Sequence, residues 1–160
     1  MKPRKVNKIV EEVTKNIIKR SKLNRLKYLQ KLNAAKDLNI RRDLLSCGNV
    51  AHSVAGCSSS EKKEIISGEK PNIAIVSAYN DMLSAHKPYE NYPSIIKKVI
   101  QQNNGTCQFA GGVPAMCDGI TQGQAGMELS LFSRDVIAQA TAIALSHNVF
   151  DGAIMLGICD

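Results

Sequence analysis

Cysteines and carboxylates stand side by side at two places in this sequence. Five cysteines are spread along the chain, and two of them directly precede an aspartate, as Cys117-Asp118 and Cys159-Asp160. A thiolate is a soft ligand that suits iron or zinc, whereas a carboxylate is a hard oxygen ligand that suits magnesium. We therefore expect a site that holds both a sulfur-ligated metal and an oxygen-ligated cation.

A third polar segment, residues 79–86, could contact a substrate. The candidate side chains in it are those of Asn80, Asp81, Ser84 and His86. The glycine-rich residues 119–126 could cradle a phosphate, but they match no Walker or dinucleotide fingerprint. The sequence has no CxxC pair, which leaves zinc-ribbon and thioredoxin sites without support.

The elements that must position these segments form an α/β pattern. Apolar, β-branched runs predict strands at 72–78, 106–110 and 153–158, and helical spacing predicts helices at 93–102 and 128–147. This alternation is typical of a mainly parallel β-α-β-α-β domain. All three polar segments follow predicted strands, and ligands of open parallel sheets bind beyond the carboxyl ends of the strands.

The first part of the chain has a different composition. Residues 1–42 hold fourteen Lys and Arg against three Asp and Glu, although the whole chain carries a net charge of +7. Apolar residues recur at helical spacing over 4–36, which predicts one broken helix or two helices with a solvated basic face. Binding to RNA or a membrane is the less favoured reading, because no aromatic residues are interleaved for stacking on bases.

These patterns divide the chain into a basic helical arm (1–43), a linker with a short helix (44–70) and an α/β domain (71–160). Residues 52–70 are expected to be loop-like, and residues 111–126 to form an extended loop. No apolar run is long enough to span a bilayer and no secretion signal precedes the arm. We therefore expect a soluble, cytoplasmic protein whose thiols are reduced rather than paired in disulfides.

Several residues have a simpler structural interpretation. Cys107 lies in a predicted strand and is expected in the core, and His147 falls where an imidazole can cap helix carbonyls. Asp151-Gly152 is typical of a turn, as Asp118-Gly119 also could be. Residues expected only to begin a helix are Ser130, Ser133 and Asp135.

Three long runs, residues 77–93, 110–138 and 146–160, resemble the dehydratase family that unites 6-phosphogluconate and dihydroxy-acid dehydratases. Residues 44–52 also fit the phosphogluconate branch. The resemblance implies removal of water from 6-phospho-D-gluconate to give 2-dehydro-3-deoxy-6-phosphogluconate, a step of the Entner–Doudoroff pathway. It implies an iron–sulfur cluster as cofactor, with Mg²⁺ as a second metal.

Matched position by position, the resemblance makes Cys159 a ligand of the cluster and makes Asp118 and Asp160 ligands of magnesium. Dihydroxy-acid dehydratases carry a further cluster cysteine at about the place of Ala85. Its absence favours the phosphogluconate branch and a 4Fe–4S rather than a 2Fe–2S cluster. Whether Cys47 or Cys117 is a ligand instead stays open.

The sequence stops inside the family's Cys-Asp-Lys motif, directly after a predicted strand. We therefore expect an N-terminal fragment that is inactive alone, because the family's catalytic serine lies in the C-terminal part. For the full-length enzyme we expect a homodimer that binds neither membrane nor nucleic acid. The alternatives are a dehydratase of another sugar acid or a dihydroxy acid, or a non-catalytic metal- or phosphate-binding module whose basic arm docks a partner.

Overall fold

The computed structural model of the chain describes residues 6–37 and 42–159. These residues belong to two compact units that divide between residues 39 and 40. The first unit contains helix α1 (Lys8–Asp37). We expected one broken helix or two, whereas α1 is continuous, because neither glycine nor proline interrupts it. Among the described helices, none is both long enough and apolar enough to cross a bilayer.

The second unit is built on a parallel sheet with strand order β2-β1-β3. The strands are β1 (Asn72–Ser77), β2 (Thr106–Gly112) and β3 (Gly152–Leu156). Helix α4 (Tyr92–Gln102) connects β1 to β2, and helix α6 (Ser130–Leu145) connects β2 to β3. The predicted mainly parallel β-α-β-α-β arrangement is therefore confirmed. The central strand β1 is buried at five of its six positions, as its uninterrupted apolar run indicates.

The segment before the sheet is more regular than expected. It folds into α2 (Cys47–Val54) and α3 (Ser59–Ser67) instead of a loop with one short helix. A capping box starts α3, in which the Ser58 hydroxyl accepts from the Glu61 amide and the Glu61 carboxylate accepts from the Ser58 amide. This signal is local, and it outweighs the polar composition from which a loop was predicted.

The segment between β2 and α6 also differs from the expected extended loop. Strand β2 continues two residues beyond the predicted end, since Gly111 and Gly112 still pair with β1. A Cβ at Gly111 would lie 3.4 Å from the Ala144 Cβ, so the glycine lets α6 pack closely against the strand. The remainder contains a single helical turn, α5 (Asp118–Thr121), and a 3₁₀ helix (Ala125–Leu129).

Asn72, the first residue of β1, forms hydrogen bonds with β2 and with the residues that lead into β3. Its side chain is fully buried, and its Nδ2 donates to Gln108 Oε1 at 2.9 Å and to the Val149 carbonyl at 3.0 Å. Its Oδ1 accepts from the Thr106 hydroxyl at 3.1 Å, and its backbone N–H donates to Asp151 Oδ2 at 2.7 Å. Asn72 thereby connects the start of the central strand to both neighbours.

Asp151 extends this network to the helices that precede the sheet. Its carboxylate lies 3.0 Å from the Arg42 guanidinium, which is 11% exposed. Arg42 also donates to the carbonyls of Ile65 and Lys70, at the end of α3 and just beyond it. Asp151 therefore does more than form the turn that the sequence indicated, because it fixes the lead-in to β3 against the segment before β1.

Replacing Asn72 with alanine leaves the Gln108 amide oxygen and the Val149 carbonyl without the side-chain donor they have inside the protein, whereas the Thr106 hydroxyl can still donate to the Pro71 carbonyl. We expect Asn72→Ala to lower the free energy of unfolding by about 3 kcal/mol, as measured by urea denaturation. The control Asn33→Ala changes an exposed residue of α1 and should shift the free energy by less than about 0.5 kcal/mol. Equal effects of the two variants would contradict a structural role for Asn72.

Hydrogen bonds from Ser58 lower the pKa of Glu61 below its ordinary value. Because the folded-state pKa is depressed, the charged carboxylate stabilises the fold above the unfolded-state pKa, and this contribution is lost as the pH falls through the folded-state pKa. We expect Glu61→Gln to cost about 0.5 kcal/mol at pH 7, a small effect because the carboxylate is partly exposed and solvent screens its charge.

Urea denaturation at pH 7 and at about pH 3 checks this prediction, since the difference between wild type and Glu61→Gln should shrink at the lower pH. Glu69→Gln, just beyond the end of α3, is the control. A difference that is unchanged at low pH would show that the charge of Glu61 is not responsible.

Candidate active site

A cavity of about 250 Å³ lies where the three strands end. We name it the strand-end cavity. Its walls come from the end of β1, from residues 113–116 after β2, from residues 155–159 of β3 and beyond, and from one face of α6. The parallel topology thus brings together segments that are far apart in sequence, at the edge of the sheet where ligands of this fold class bind.

Four polar side chains line this otherwise apolar cavity: His86, Ser133, Thr141 and Cys159. The sequence singled out His86 and Cys159 as site residues. It assigned Ser133 only to a helix start and did not select Thr141. Ser133, Ile137 and Thr141 follow one another at intervals of four and so share a face of α6. Their spacing, in a helix that follows a candidate loop, is the sequence signal that could have identified Ser133 and Thr141 as cavity residues.

His86 is held rigidly. It is 2% exposed, its Nδ1 lies 2.6 Å from the Ala78 carbonyl oxygen, and its ring meets Tyr89 edge to face with the ring centroids 5.9 Å apart. Its other nitrogen, Nε2, is buried and has no hydrogen-bond partner in the part of the chain that the structure describes. A buried polar atom is rarely left unpaired, so Nε2 is a candidate for contact with a ligand.

Asn80 organises the loop that carries His86. Its Oδ1 accepts from the amides of Met82 at 2.8 Å and Leu83 at 3.2 Å. The buried Leu83 then accepts the His86 amide through its carbonyl at 2.9 Å. The Asn80 side-chain oxygen is therefore used within its own loop, where it positions His86.

The other two candidates in this loop face solvent. Asp81 is exposed and forms an ion pair with Lys87, whose ammonium group lowers the pKa of the Asp81 carboxyl. Ser84 is also exposed. Among the described residues that line the strand-end cavity, His86 is the one that this loop contributes.

Asp118 is the first residue of α5 and follows the loop that forms one wall of the cavity. Its Oδ1 is buried and has no hydrogen-bond partner within residues 6–37 and 42–159. A buried carboxylate oxygen without a partner is costly, and a cation is a ligand that would satisfy it. Asp160, the other predicted magnesium ligand, lies outside the described residues.

Cys159 lines the strand-end cavity directly after β3. Its φ is +64°, in the left-handed region that residues with a side chain rarely adopt. Such conformations concentrate at functional sites. The combination of exposure, position and backbone conformation makes Cys159 the most prominent thiol of this edge of the sheet.

The remaining cysteines have other surroundings. Cys117 is half-buried and precedes Asp118, whereas Cys47 is exposed and lines a separate cavity together with Arg42 and Ile65. Cys107 is buried as predicted, and burial raises the pKa of its thiol. Cys57 accepts a weak hydrogen bond from Gln108. Among the described residues, no three His, Cys, Asp or Glu side chains lie close enough together to hold a metal ion.

His147 behaves as the sequence indicated. Its Nδ1 lies 3.1 Å from the Ala144 carbonyl, at the end of α6. It therefore caps the helix, and this hydrogen bond uses one of its ring nitrogens within the fold.

Known proteins resemble this chain over most of its length. It is 55% identical to the phosphogluconate dehydratase of Escherichia coli K12 over 148 residues, which are 92% of this chain and 24% of that protein. It is 56% identical to the Pseudomonas aeruginosa phosphogluconate dehydratase over 151 residues, or 94% of this chain and 25% of that protein. The dihydroxy-acid dehydratase of Lachnospira eligens is 38% identical over 99 residues, which are 58% of this chain.

The chain thus spans about a quarter of the length of the phosphogluconate dehydratases it matches. Residues 70–160 match the family model described as dihydroxy-acid/6-phosphogluconate dehydratase N-terminal. That range covers the whole sheet and every segment of the strand-end cavity. The chain belongs to the dihydroxy-acid/6-phosphogluconate dehydratase family and carries its N-terminal domain.

Proposed function

We propose that this chain forms part of the active site of a 6-phosphogluconate dehydratase. The reaction removes water from 6-phospho-D-gluconate and yields 2-dehydro-3-deoxy-6-phosphogluconate. The observation that carries the proposal is the contrast among relatives: identity to phosphogluconate dehydratases is 55–56% over more than nine-tenths of the chain, against 38% over 58% for a dihydroxy-acid dehydratase. The proposal includes a cytoplasmic location, a place in the Entner–Doudoroff pathway and a homodimeric full-length enzyme.

The residues at the strand ends fit the metal groups that the family implies. The unpartnered Oδ1 of Asp118 suits Mg²⁺, with Asp160 as the second carboxylate ligand, and Cys159 offers its thiolate to an iron–sulfur cluster. When bound, such a cluster supplies a Lewis-acidic iron for the departing hydroxyl, while Mg²⁺ offsets the negative charge of the substrate carboxylate.

The position of Cys117 next to Asp118 favours it over Cys47 as a further cluster ligand, because Cys47 lines a different cavity. The alanine at position 85 favours a 4Fe–4S cluster over a 2Fe–2S one. Within the described residues these cysteine and aspartate side chains do not form a group of three that could hold a metal ion, so they would bind it together with further ligands.

The protein's own contribution is to orient the substrate and to exclude water. The apolar walls of the strand-end cavity, which include Val76, Ile137 and Leu156, leave little for water to bind. Asp118 and Cys159 follow the carboxyl ends of β2 and β3, so the parallel sheet would position the ligands relative to one another and to the substrate.

A chimera tests this proposal. This chain replaces the matching 148 residues of the Escherichia coli relative, and formation of the 2-keto-3-deoxy acid is measured after anaerobic reconstitution. We expect the chimera to dehydrate 6-phosphogluconate and to leave a 2,3-dihydroxy acid unchanged. Dehydration of the dihydroxy acid with no reaction of 6-phosphogluconate would overturn the proposal in favour of the other branch of the family.

Substitutions of the metal ligands give a second test in the same chimera. We expect Cys159→Ser to lower retained iron per protein, and Asp118→Asn to raise the Mg²⁺ concentration needed for half-maximal activity. Each should lower kcat/KM by about 100-fold or more, because each removes a ligand of a metal that stabilises the transition state.

The matched control is Cys57→Ser, which changes a thiol outside the strand-end cavity and should retain full iron content and activity. If Cys159→Ser kept its iron and Cys57→Ser lost it, the assignment of the cluster ligand would be wrong.

A further inference from the structure

The hydrogen bond of His86 determines which of its ring nitrogens is available. A carbonyl oxygen only accepts hydrogen bonds, so the 2.6 Å contact with Ala78 requires the proton to be on Nδ1. In the neutral ring, Nε2 then carries a lone pair. Because Nε2 is buried without a partner in the described part of the chain, His86 offers an unused hydrogen-bond acceptor where its ring borders the strand-end cavity.

The two hydroxyl groups of the cavity are acceptors as well. Ser133 donates its hydroxyl proton to the Ser130 carbonyl at 2.6 Å, and Thr141 donates to the Ile137 carbonyl at 2.7 Å. Each hydroxyl has a single proton, so only lone pairs remain for a ligand. The described residues that line the cavity include no lysine or arginine.

A cavity with acceptor side chains and no cationic ones favours a ligand that brings its own donors. Alcohol groups are such donors, whereas phosphate and carboxylate groups are acceptors that would meet lone pairs and apolar walls. The side chains therefore select the hydroxylated middle of a sugar acid rather than its charged ends.

We propose that His86 is a positioning residue whose Nε2 accepts a hydrogen bond from a hydroxyl group of a polyhydroxy acid in the strand-end cavity. The inference takes the class of substrate from the proposed function. It adds which protein atom, His86 Nε2, contacts which part of the substrate, a hydroxyl group. The phosphate of the substrate then binds outside this cavity. Asn80 and Tyr89 support the role indirectly, because the loop and the ring contact hold the imidazole in place.

Nuclear magnetic resonance of the 160-residue chain, labelled with ¹⁵N in histidine, tests the proposal directly. We expect the Nδ1–H tautomer at His86 and a saturable shift of the Nε2 resonance when D-gluconate is added at constant pH. Hexanoate, which has a carboxylate but no hydroxyl groups, and inorganic phosphate should leave this resonance unmoved.

Variants separate this role from a merely structural one. We expect His86→Phe, which keeps an aromatic ring but has no acceptor, to weaken gluconate binding by about tenfold. His86→Gln, whose amide oxygen can accept, should recover part of that loss. The matched control His52→Phe changes an exposed histidine of α2 and should bind gluconate as the wild type does.

A proton on Nε2, a failure of gluconate to shift the Nε2 resonance, or an equal shift with phosphate would each overturn the proposal. A failure of this inference can be distinguished from a failure of the proposed function. An active chimera with an unresponsive His86 would refute the inference alone, whereas a responsive His86 in a chain whose chimera is inactive would refute the proposed function alone.

Discussion

The buried amide of Asn72 is the constraint on which the second unit depends. The three strands come from segments 30 to 80 residues apart in sequence, yet they pair in parallel with Asn72 opposite Thr106 and Ile73 opposite Gly152. Asn72 aligns them by donating towards Gln108 and Val149 and by accepting from Thr106. A buried polar network of this kind is costly when incomplete, so it favours a single register over its alternatives.

The alignment at the start of the strands has its consequence at their opposite ends. With β1 between β2 and β3 and all three parallel, the loops that follow them must emerge at the same edge. The strand-end cavity is the space between those loops, and α6 closes it from the side. Cys159 and His86 therefore owe their proximity to the sheet rather than to any local motif.

Within the cavity, the hydrogen bonds that stabilise the fold also determine which side-chain atoms are available to a ligand. The Ala78 carbonyl fixes the proton of His86 on Nδ1, and the α6 carbonyls take the hydroxyl protons of Ser133 and Thr141. Backbone carbonyls therefore accept the protons of these three side chains, and only lone pairs remain for a ligand. A similar division applies at Asp118, where burial leaves one carboxylate oxygen unsatisfied and so suited to a cation.

The sequence by itself determined the class of fold, the succession of the three strands and their two connecting helices along the chain, and the candidates Cys159, Asp118 and His86, because apolar periodicity and family motifs are local patterns. It predicted one short helix within residues 44–70, where the structure has α2 and α3, because the serine caps of both helices are short signals within a polar segment. Only the tertiary structure decided that Ser133 and Thr141 line the strand-end cavity and that Cys47 borders a different cavity. These facts depend on packing and on hydrogen bonds between residues distant in sequence, and no spacing along one chain specifies which partner a buried polar atom finds.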